Sequence, residues 1–377
     1  MMKLLYVLTE IKSKGGVPRI IFDKINYLVR YYDIDVLHIG KPLDQPFYEI
    51  NDRVRFHCIS MENDNSSFCH KVLNVCKLIP KYRAIIKSVR PDVIINANTK
   101  ILSWIIPFFD KKIPKIVELH QSFDGVCIFN ANCFGENSLK GKLLMVLRHI
   151  CYPKYNRVVV LTEKDKQQWG YKNIDVIPNF TNISYKGTYP IASKTALSIG
   201  RLEHQKDFQL MVKAWKIVNQ KHPDWHLNIF GEGSMKNELE KLIADCGLEQ
   251  TVFLKGNTND VIQEYSNSSF FVSSSRYEGL PLVLIEAQCC GLPCVGFDIT
   301  GVSDMIKDNE TGILVKERTP EQLALGICKL IENPNLRESM HQNTLLDSEQ
   351  YTKEYVMSKW ISLFEKVNAV NGASNQG

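Results

Sequence analysis

Apolar residues in this chain fall into short blocks rich in Val, Ile and Leu, separated by longer stretches where they recur every three or four positions. In the first half the blocks are Lys3–Leu8, Asp35–Ile39, Val54–Ile59, Asp92–Asn96, Lys115–Glu118, Arg157–Leu161 and Asp175–Ile177, with amphipathic stretches such as Arg19–Tyr31 and Lys71–Val89 between them. The second half repeats the alternation with Thr195–Ile199, His226–Phe230, Val252–Lys255, Phe270–Ser273, Pro293–Phe297 and Gly312–Val315. A short apolar block bounded by polar residues reads as a strand buried on both faces, and the longer period as a helix with one buried face. Strands alternating with helices predict parallel sheets covered on both sides.

Two such series predict two doubly wound α/β domains facing a central cleft. The polar stretch Asn182–Ser193, punctuated by Gly and Pro, places the boundary, with an N-terminal domain over 1–187 and a C-terminal domain over 188–350. Apolar residues at Tyr355, Val356, Trp360, Leu363 and Phe364 predict a terminal helix within 351–377, expected to pack back on the first domain. In open sheets of this kind ligands bind beyond the carboxyl ends of the strands, so chemical residues should collect there.

At 377 residues the chain exceeds what one core usually supports, and 44% hydrophobic with 23% charged residues describe an ordinary globular protein. The apolar runs Ile101–Phe109 and Leu143–Leu147 fall well short of the roughly 20 residues of a spanning helix. The opening MMKLLYVLTEIK reads as a first buried strand, not a leader peptide. The eleven cysteines include no CxxC pair, and Cys289-Cys290-Gly-Leu-Pro-Cys294 has no histidine-rich partner, which predicts reduced thiols in the cytoplasm and no metal site.

Charge is unevenly divided. Residues 1–187 carry 28 Lys and Arg against 17 Asp and Glu, and residues 188–377 carry 18 against 24. The first half is therefore expected to meet something anionic. Its basic residues are not interleaved with aromatics in a nucleic-acid-binding pattern, so no nucleic acid is expected, and a phosphate-bearing lipid or membrane surface fits at least as well.

Three segments carry candidate chemistry. Gly15-Gly16-Val17-Pro18-Arg19 follows the first strand and opens a helix, where the backbone can approach a phosphate and the helix N-terminus favours negative charge. Neither GxGxxG nor GxxxxGK[ST] occurs. Ser198–Asp207 opens the second half, and Arg201 and Lys206 bring a guanidinium fork and an ammonium to one strand end, a pair suited to a diphosphate. In SSSRYEGLPLVLIEAQCCGLP, Pro281 suits a helix start, which puts Glu278 in the loop at the mouth and Glu286 more than a turn inside. The N–H groups of Leu280, Leu282 and Val283 face the same mouth. Each carboxylate is a natural acceptor for a pair of neighbouring hydroxyls on an elongated ligand.

Taken together these segments resemble the retaining glycosyltransferases of the GT-B fold, specifically the large family 4. The resemblance runs over nearly the whole chain: Gly15-Gly16, Gly200–Lys206, Ile229–Gly233, Phe253–Gly256, Glu278–Glu286, Gly301–Ile306 and Thr311–Val315, with Ile177-Pro178-Asn179 ahead of the linker. It implies that Gly15 and Gly16 approach the donor diphosphate from the front domain while Arg201 and Lys206 hold it from the rear. It also implies that Glu286 binds the ribose, that Glu278 contacts the donor sugar, that the backbone around Gly256–Thr258, Asn257 included, lines the base pocket, and that Gly231 belongs to the donor-binding set. Leu282 and Val283 would offer helix N–H groups, and His120, in Val117–Gln121, matches the family's active-site histidine. No metal and no cofactor are expected, since the cations take that part. Asp33-Ile34-Asp35 is read as structural, because it leads into the second strand. Thr300-Gly301 departs from the family's Gly-Gly and bears on sugar preference.

The resemblance places the acceptor on the front domain. His70–Arg90, with Lys71, Lys77, Lys81, Arg83, Lys87 and Arg90, and the neighbouring Trp104–Phe109 form basic amphipathic segments of the kind that dock on anionic membranes. The expected activity is transfer of a hexose or N-acetylhexosamine from a nucleotide diphosphate sugar, UDP-linked, to a glycan or lipid-diphosphate-linked acceptor in surface polysaccharide synthesis. The expected location is the cytoplasm, at the inner face of the plasma membrane. A nucleotide-sugar epimerase of the same fold and a non-catalytic sugar-binding scaffold are the alternatives.

Overall fold

The computed structural model describes the chain except residues 10, 13, 42–43, 61–67, 98–101, 136–137, 184–186 and 375–377, and except the side chains of 68–76 and 370–374. Ile101, the His70 and Lys71 side chains and part of the boundary segment thus lie outside the described residues.

Among the described residues thirteen strands form two sheets. The front sheet comprises β1 (Lys3–Leu8), β2 (Asp33–Ile39), β3 (Arg55–Ile59), β4 (Val93–Asn96), β5 (Lys115–Glu118), β6 (Arg157–Val160) and β7 (Ile174–Val176), in the order β3-β2-β1-β4-β5-β6-β7. The rear sheet comprises β8 (Thr195–Ile199), β9 (His226–Phe230), β10 (Val252–Gly256), β11 (Phe270–Ser273), β12 (Cys294–Phe297) and β13 (Gly312–Val315), in the order β10-β9-β8-β11-β12-β13. Every pairing is parallel, for example Leu4 opposite both Ile34 and Val93. Strands of such sheets are covered on both faces, which is why β1 and β4 read as unbroken apolar blocks and are wholly buried along Leu4–Val7 and Val93–Ile95.

Each sheet reverses its strand order once, between β1 and β4 in front and between β8 and β11 behind. These switch points open crevices at the carboxyl ends. The loops that begin there carry Gly15-Gly16 after β1, Arg201 after β8 and Glu278 after β11.

The chain crosses from front to rear beyond Ile177, and it crosses back where Thr181 bridges to Thr352 and its N–H donates to Tyr351 O at 3.2 Å. The helix Lys353–Ser374 then lays Val356, Met357, Trp360, Leu363, Phe364 and Val367 into the front core beside Tyr6, Phe22 and Ile25. A fully buried large side chain contributes about 1.5–3 kcal/mol, so this helix is an integral part of the front domain.

Helix limits differ from the periodic stretches at the first helix. It spans Gly16–Leu28 and not Arg19–Tyr31, because Gly15 takes the N-cap position and Pro18 is tolerated in the first turn, where an N–H has no helical acceptor. Asp33 and Asp35 lie within β2, tied to Arg55 Nη2 at 2.8 Å each, with His57 Nε2 2.6 Å from Asp35. The helix Phe68–Val89 buries Leu78, Tyr82, Ile86 and Val89 against the sheet, so these apolar residues belong to the core and are not a membrane face.

Candidate active site

The site forms where the front β1 and β5 ends meet the rear β8 and β11 ends. Gly16 lies against the rear helix Leu282–Cys289: a Cβ added there would fall 3.1 Å from Leu282 Cδ1. The glycine loop is pinned by Tyr48, whose hydroxyl accepts from Gly15 N–H at 3.1 Å and donates to Gly15 O at 3.0 Å. Just before that rear helix, Gly279 approaches the front domain so closely that a Cβ would lie 2.3 Å from His120 O. Only glycine permits that contact, which explains why Gly follows Glu278 here.

The helix Leu282–Cys289 starts behind Pro281, an extended N-cap residue and not a member of the first turn. Its first turn leaves the N–H groups of Leu282 and Val283 without helical acceptors, the usual condition of an anion-favouring helix end. Around this mouth stand the two acids, both buried. Lys206 Nζ donates to Glu278 Oε1 at 2.6 Å. Arg19 Nη1, from the front helix, donates to Glu286 Oε1 at 2.9 Å, and Tyr265 Oη donates to Glu286 Oε2 at 3.1 Å. Burial pushes the Glu286 carboxyl above its ordinary range, opposed by Arg19 and Tyr265.

The backbone of Lys206 is tied to the loop after β11, since Ser274 Oγ donates to its carbonyl at 2.7 Å. Arg201 is exposed and makes no ion pair among the described residues, which leaves its fork available to an incoming anion. At the neighbouring strand ends, Gly231 N–H donates to Gly256 O at 2.7 Å, and a Cβ on Gly231 would lie 1.9 Å from Gly200 O. The ends of β8, β9 and β10 are thereby brought side by side, with Asn257 exposed just beyond.

His120 sits differently from Glu278. Its imidazole lines a small cavity behind the cleft, with Lys24, Glu118, Asn179 and Trp360. There Lys24 Nζ donates to Glu118 Oε2 at 2.5 Å, stacks 3.8 Å above the Trp360 ring, and is almost wholly buried, as is its partner. His120 Nε2 lies 3.3 Å from the same Glu118 oxygen, and neither ring nitrogen has a hydrogen bond among the described residues. Burial pushes the Glu118 carboxyl up, but Lys24 and His120 reverse this and hold it below the usual carboxylate range. Burial likewise lowers the Lys24 ammonium, partly offset by Glu118. A buried polar ring whose nitrogens make no hydrogen bond beside a cleft is where a substrate group can bind.

Beside Glu278 an open groove of about 290 Å³ runs between the domains, lined by Ser122, Asp124, Lys164, Tyr277, Glu278 and Thr300. It is spanned by Thr300 Oγ1 donating to Asp124 Oδ2 at 2.7 Å and Lys164 Nζ donating to Ser303 Oγ at 3.2 Å. Asn179 Nδ2 donates to Leu280 O at 2.9 Å, closing the far side. The structure thus gathers Gly16, Lys206, Glu278, Leu282, Val283 and Glu286 at one mouth, with Arg201, Gly231, Gly256 and Asn257 at the adjoining strand ends. Arg19, Tyr265, Tyr48, Lys24 and Glu118 complete it; Arg19 and Glu118 lie within segments already singled out but without a role there, and Tyr265, Tyr48 and Lys24 carry no local motif.

Two facing doubly wound domains, with cations, buried acids and a helix N-terminus around the cleft between them, define a GT-B architecture. Residues 182–346 match the family Glycosyl transferases group 1. A Haemophilus influenzae glycosyltransferase is 29% identical over 96% of this chain and 99% of its own. A Campylobacter jejuni enzyme, GalNAc-alpha-(1->4)-GalNAc-alpha-(1->3)-diNAcBac-PP-undecaprenol alpha-1,4-N-acetyl-D-galactosaminyltransferase, is 24% identical over 97% of this chain and 99% of its own. Among solved structures, S. aureus TarM in complex with fondaparinux, alpha-GlcNAc-glycerol and UDP superposes with a TM-score of 0.74 at 18% identity, covering 97% of this chain and 100% of that one. The chain is a glycosyltransferase of the GT-B fold, and its rear half carries the group 1 domain.

Proposed function

We propose that this glycosyltransferase moves a hexose or N-acetylhexosamine, with retention, from a UDP-sugar to a lipid-diphosphate-linked glycan in surface polysaccharide synthesis. The carrying observation is the mouth of the helix Leu282–Cys289, where Lys206 and free N–H groups lie between two buried acids, with the exposed Arg201 at the adjoining strand end. A diphosphate seated there would have its charge met by two side-chain cations and a helix end, without a metal ion. As the glycosidic bond to the diphosphate breaks, negative charge grows on the departing oxygen, and groups already fixed in place stabilise it at little reorganisation cost.

Glu278 would then accept hydroxyls of the donor sugar and Glu286 those of the ribose, through the lone pairs not used by Lys206, Arg19 and Tyr265. Gly231, Gly256 and Asn257 would border the base. His120 would meet the sugar from the front side, with Glu118 and Lys24 behind it as positioning residues. The groove along Ser122, Asp124 and Thr300 would admit the acceptor. The acceptor class is supported by the C. jejuni relative, whose name places its own sugar on a diphosphate-linked undecaprenol glycan. Uridine is supported by the UDP in the TarM complex. Free thiols throughout the described cysteines support work at the cytoplasmic face.

The test is to supply UDP-sugars and a polyprenyl-diphosphate oligosaccharide, with and without EDTA. UDP release and the anomeric configuration of the product are then read by NMR. UDP release that depends on the acceptor and survives EDTA, with an α product from an α donor, supports the proposal. Inversion, abolition by EDTA, or donor turnover indifferent to acceptor contradicts it.

A further inference from the structure

One surface of the front domain is unlike the rest. The helix Leu139–Cys151 buries Gly141 and Cys151 and leaves Leu139, Leu143, Val146 and Ile150 exposed, at 85%, 58%, 52% and 51% of their surface. Their spacing of four, three and four residues puts all of them on one helix face. Phe129, on the adjacent helix Phe123–Phe134, is exposed as well, at 45%. Single exposed apolar residues are ordinary on protein surfaces, but a contiguous row of large ones marks an interaction site.

The surroundings point to what covers it. The helix carries no acidic residue, and Lys140 and Lys142 flank the stripe, both exposed. Lys140 Nζ lies 4.4 Å from the centre of the Phe134 ring, which keeps a cation at the margin of the apolar face. The half of the chain that bears this helix holds 28 Lys and Arg against 17 Asp and Glu. An apolar stripe edged by lysines on a basic domain matches an interface where acyl chains lie beneath anionic headgroups. Among the described residues no helix is long and apolar enough to cross a membrane, so contact through this face would be lateral.

We infer that Leu139, Leu143, Val146 and Ile150 dock the protein on an anionic bilayer, with the helix Leu139–Cys151 lying in the plane of the headgroups. The neighbouring helix Phe123–Phe134 lines the interdomain groove through Asp124, Cys127 and Ile128. Docking therefore brings the groove to the bilayer surface, where, on the proposed reading of the site, a lipid-borne acceptor is presented. The docking itself rests on the stripe and its charge and does not require that reading.

The experiment is flotation of the full chain with phosphatidylcholine vesicles containing phosphatidylglycerol, and with phosphatidylcholine alone. Wild type, Leu143→Glu/Val146→Glu, Leu143→Ser/Val146→Ser and Lys140→Gln/Lys142→Gln are compared, with Lys81→Gln/Lys87→Gln on the other basic helix as control. Wild type and control are expected on the anionic vesicles. The glutamate pair should bind at least about tenfold more weakly, the serine pair should be weakened in the same direction, and the lysine pair should lose its preference for anionic lipid. Unchanged melting of the substituted chains, and unchanged stabilisation by nucleotide, would separate lost docking from lost folding or a lost donor site. Glutamate and serine pairs that float like wild type, or wild type that binds neither vesicle, would overturn the inference. A wild-type dimer in solution that the glutamate pair dissolves would also overturn it, by assigning the stripe to a second copy of the chain.

Discussion

Replacing Lys24 by methionine removes one member of a charge pair that the front core encloses almost completely. The Lys24 and Glu118 side chains retain 4% and 2% of their exposure, and the ammonium faces the Trp360 and Tyr6 rings at 3.8 and 5.4 Å. Breaking a buried pair from one side costs about 3–5 kcal/mol, because the remaining charge is stranded, whereas replacing both partners by apolar groups is close to neutral. Lys24→Met is therefore expected to lose about 3 kcal/mol, the lower end of that range, since the polar His120 ring still stands 3.3 Å from the carboxylate. For a domain of this size that is a fall in Tm of roughly 6–12 °C. Lys24→Met/Glu118→Leu should recover at least half of the loss.

The pH dependence has a defined sign. Glu118 is held below the ordinary carboxylate range in the fold, so the stability it supplies is present above that range and is lost as pH falls through the folded value. The deficit of Lys24→Met should accordingly narrow in acid. Thermal denaturation of the four proteins across pH measures all of this. A loss below about 1 kcal/mol for Lys24→Met, or a double variant no more stable than the single one, would refute the reasoning.

Two further outcomes follow from the same structure. Asp165 accepts from Phe123 N–H at 2.8 Å, and burial, with Asp304 and Asp124 nearby, pushes its carboxyl up to about 7. A raised carboxyl costs stability as pH rises from the unfolded value towards the folded one, so Asp165→Asn should be more stable than wild type by about 2–4 kcal/mol at pH 8 and indistinguishable near pH 4, as read by melting curves. Gly279→Ala inserts a Cβ 2.3 Å from His120 O and should separate the two domains at that point, costing about 1–3 kcal/mol and most of the donor turnover; a fully active variant would show that the close approach is dispensable.

Much of the fold was legible because parallel sheets bury both faces of a strand, so β1, β4, β6 and β12 stand out as apolar blocks with sharp polar borders. Motif-bearing loops were legible for a related reason: glycines, prolines and charges cluster where strands end. Pairings were not. Arg19 and Glu286 lie 267 residues apart and Lys24 and Glu118 lie 94 apart, and nothing local to either member announces the other. Burial was not legible either. In the helix Phe68–Val89 Leu78, Tyr82, Ile86 and Val89 have a sheet to cover, while in Leu139–Cys151 a continuous apolar run hides an exposed stripe that only burial distinguishes.

The central claim is a diphosphate-sugar site at the mouth of the helix Leu282–Cys289. Its most direct test is thermal stabilisation of wild type and Lys206→Ala by UDP, GDP, ADP and a series of UDP-sugars. A ligand at a hundredfold excess over its Kd adds about 2.7 kcal/mol to the native state. The account predicts a shift of several degrees with UDP and at least one UDP-sugar, absent in Lys206→Ala measured against its own baseline. No shift with any nucleotide, or a shift that Lys206→Ala retains in full, would contradict it.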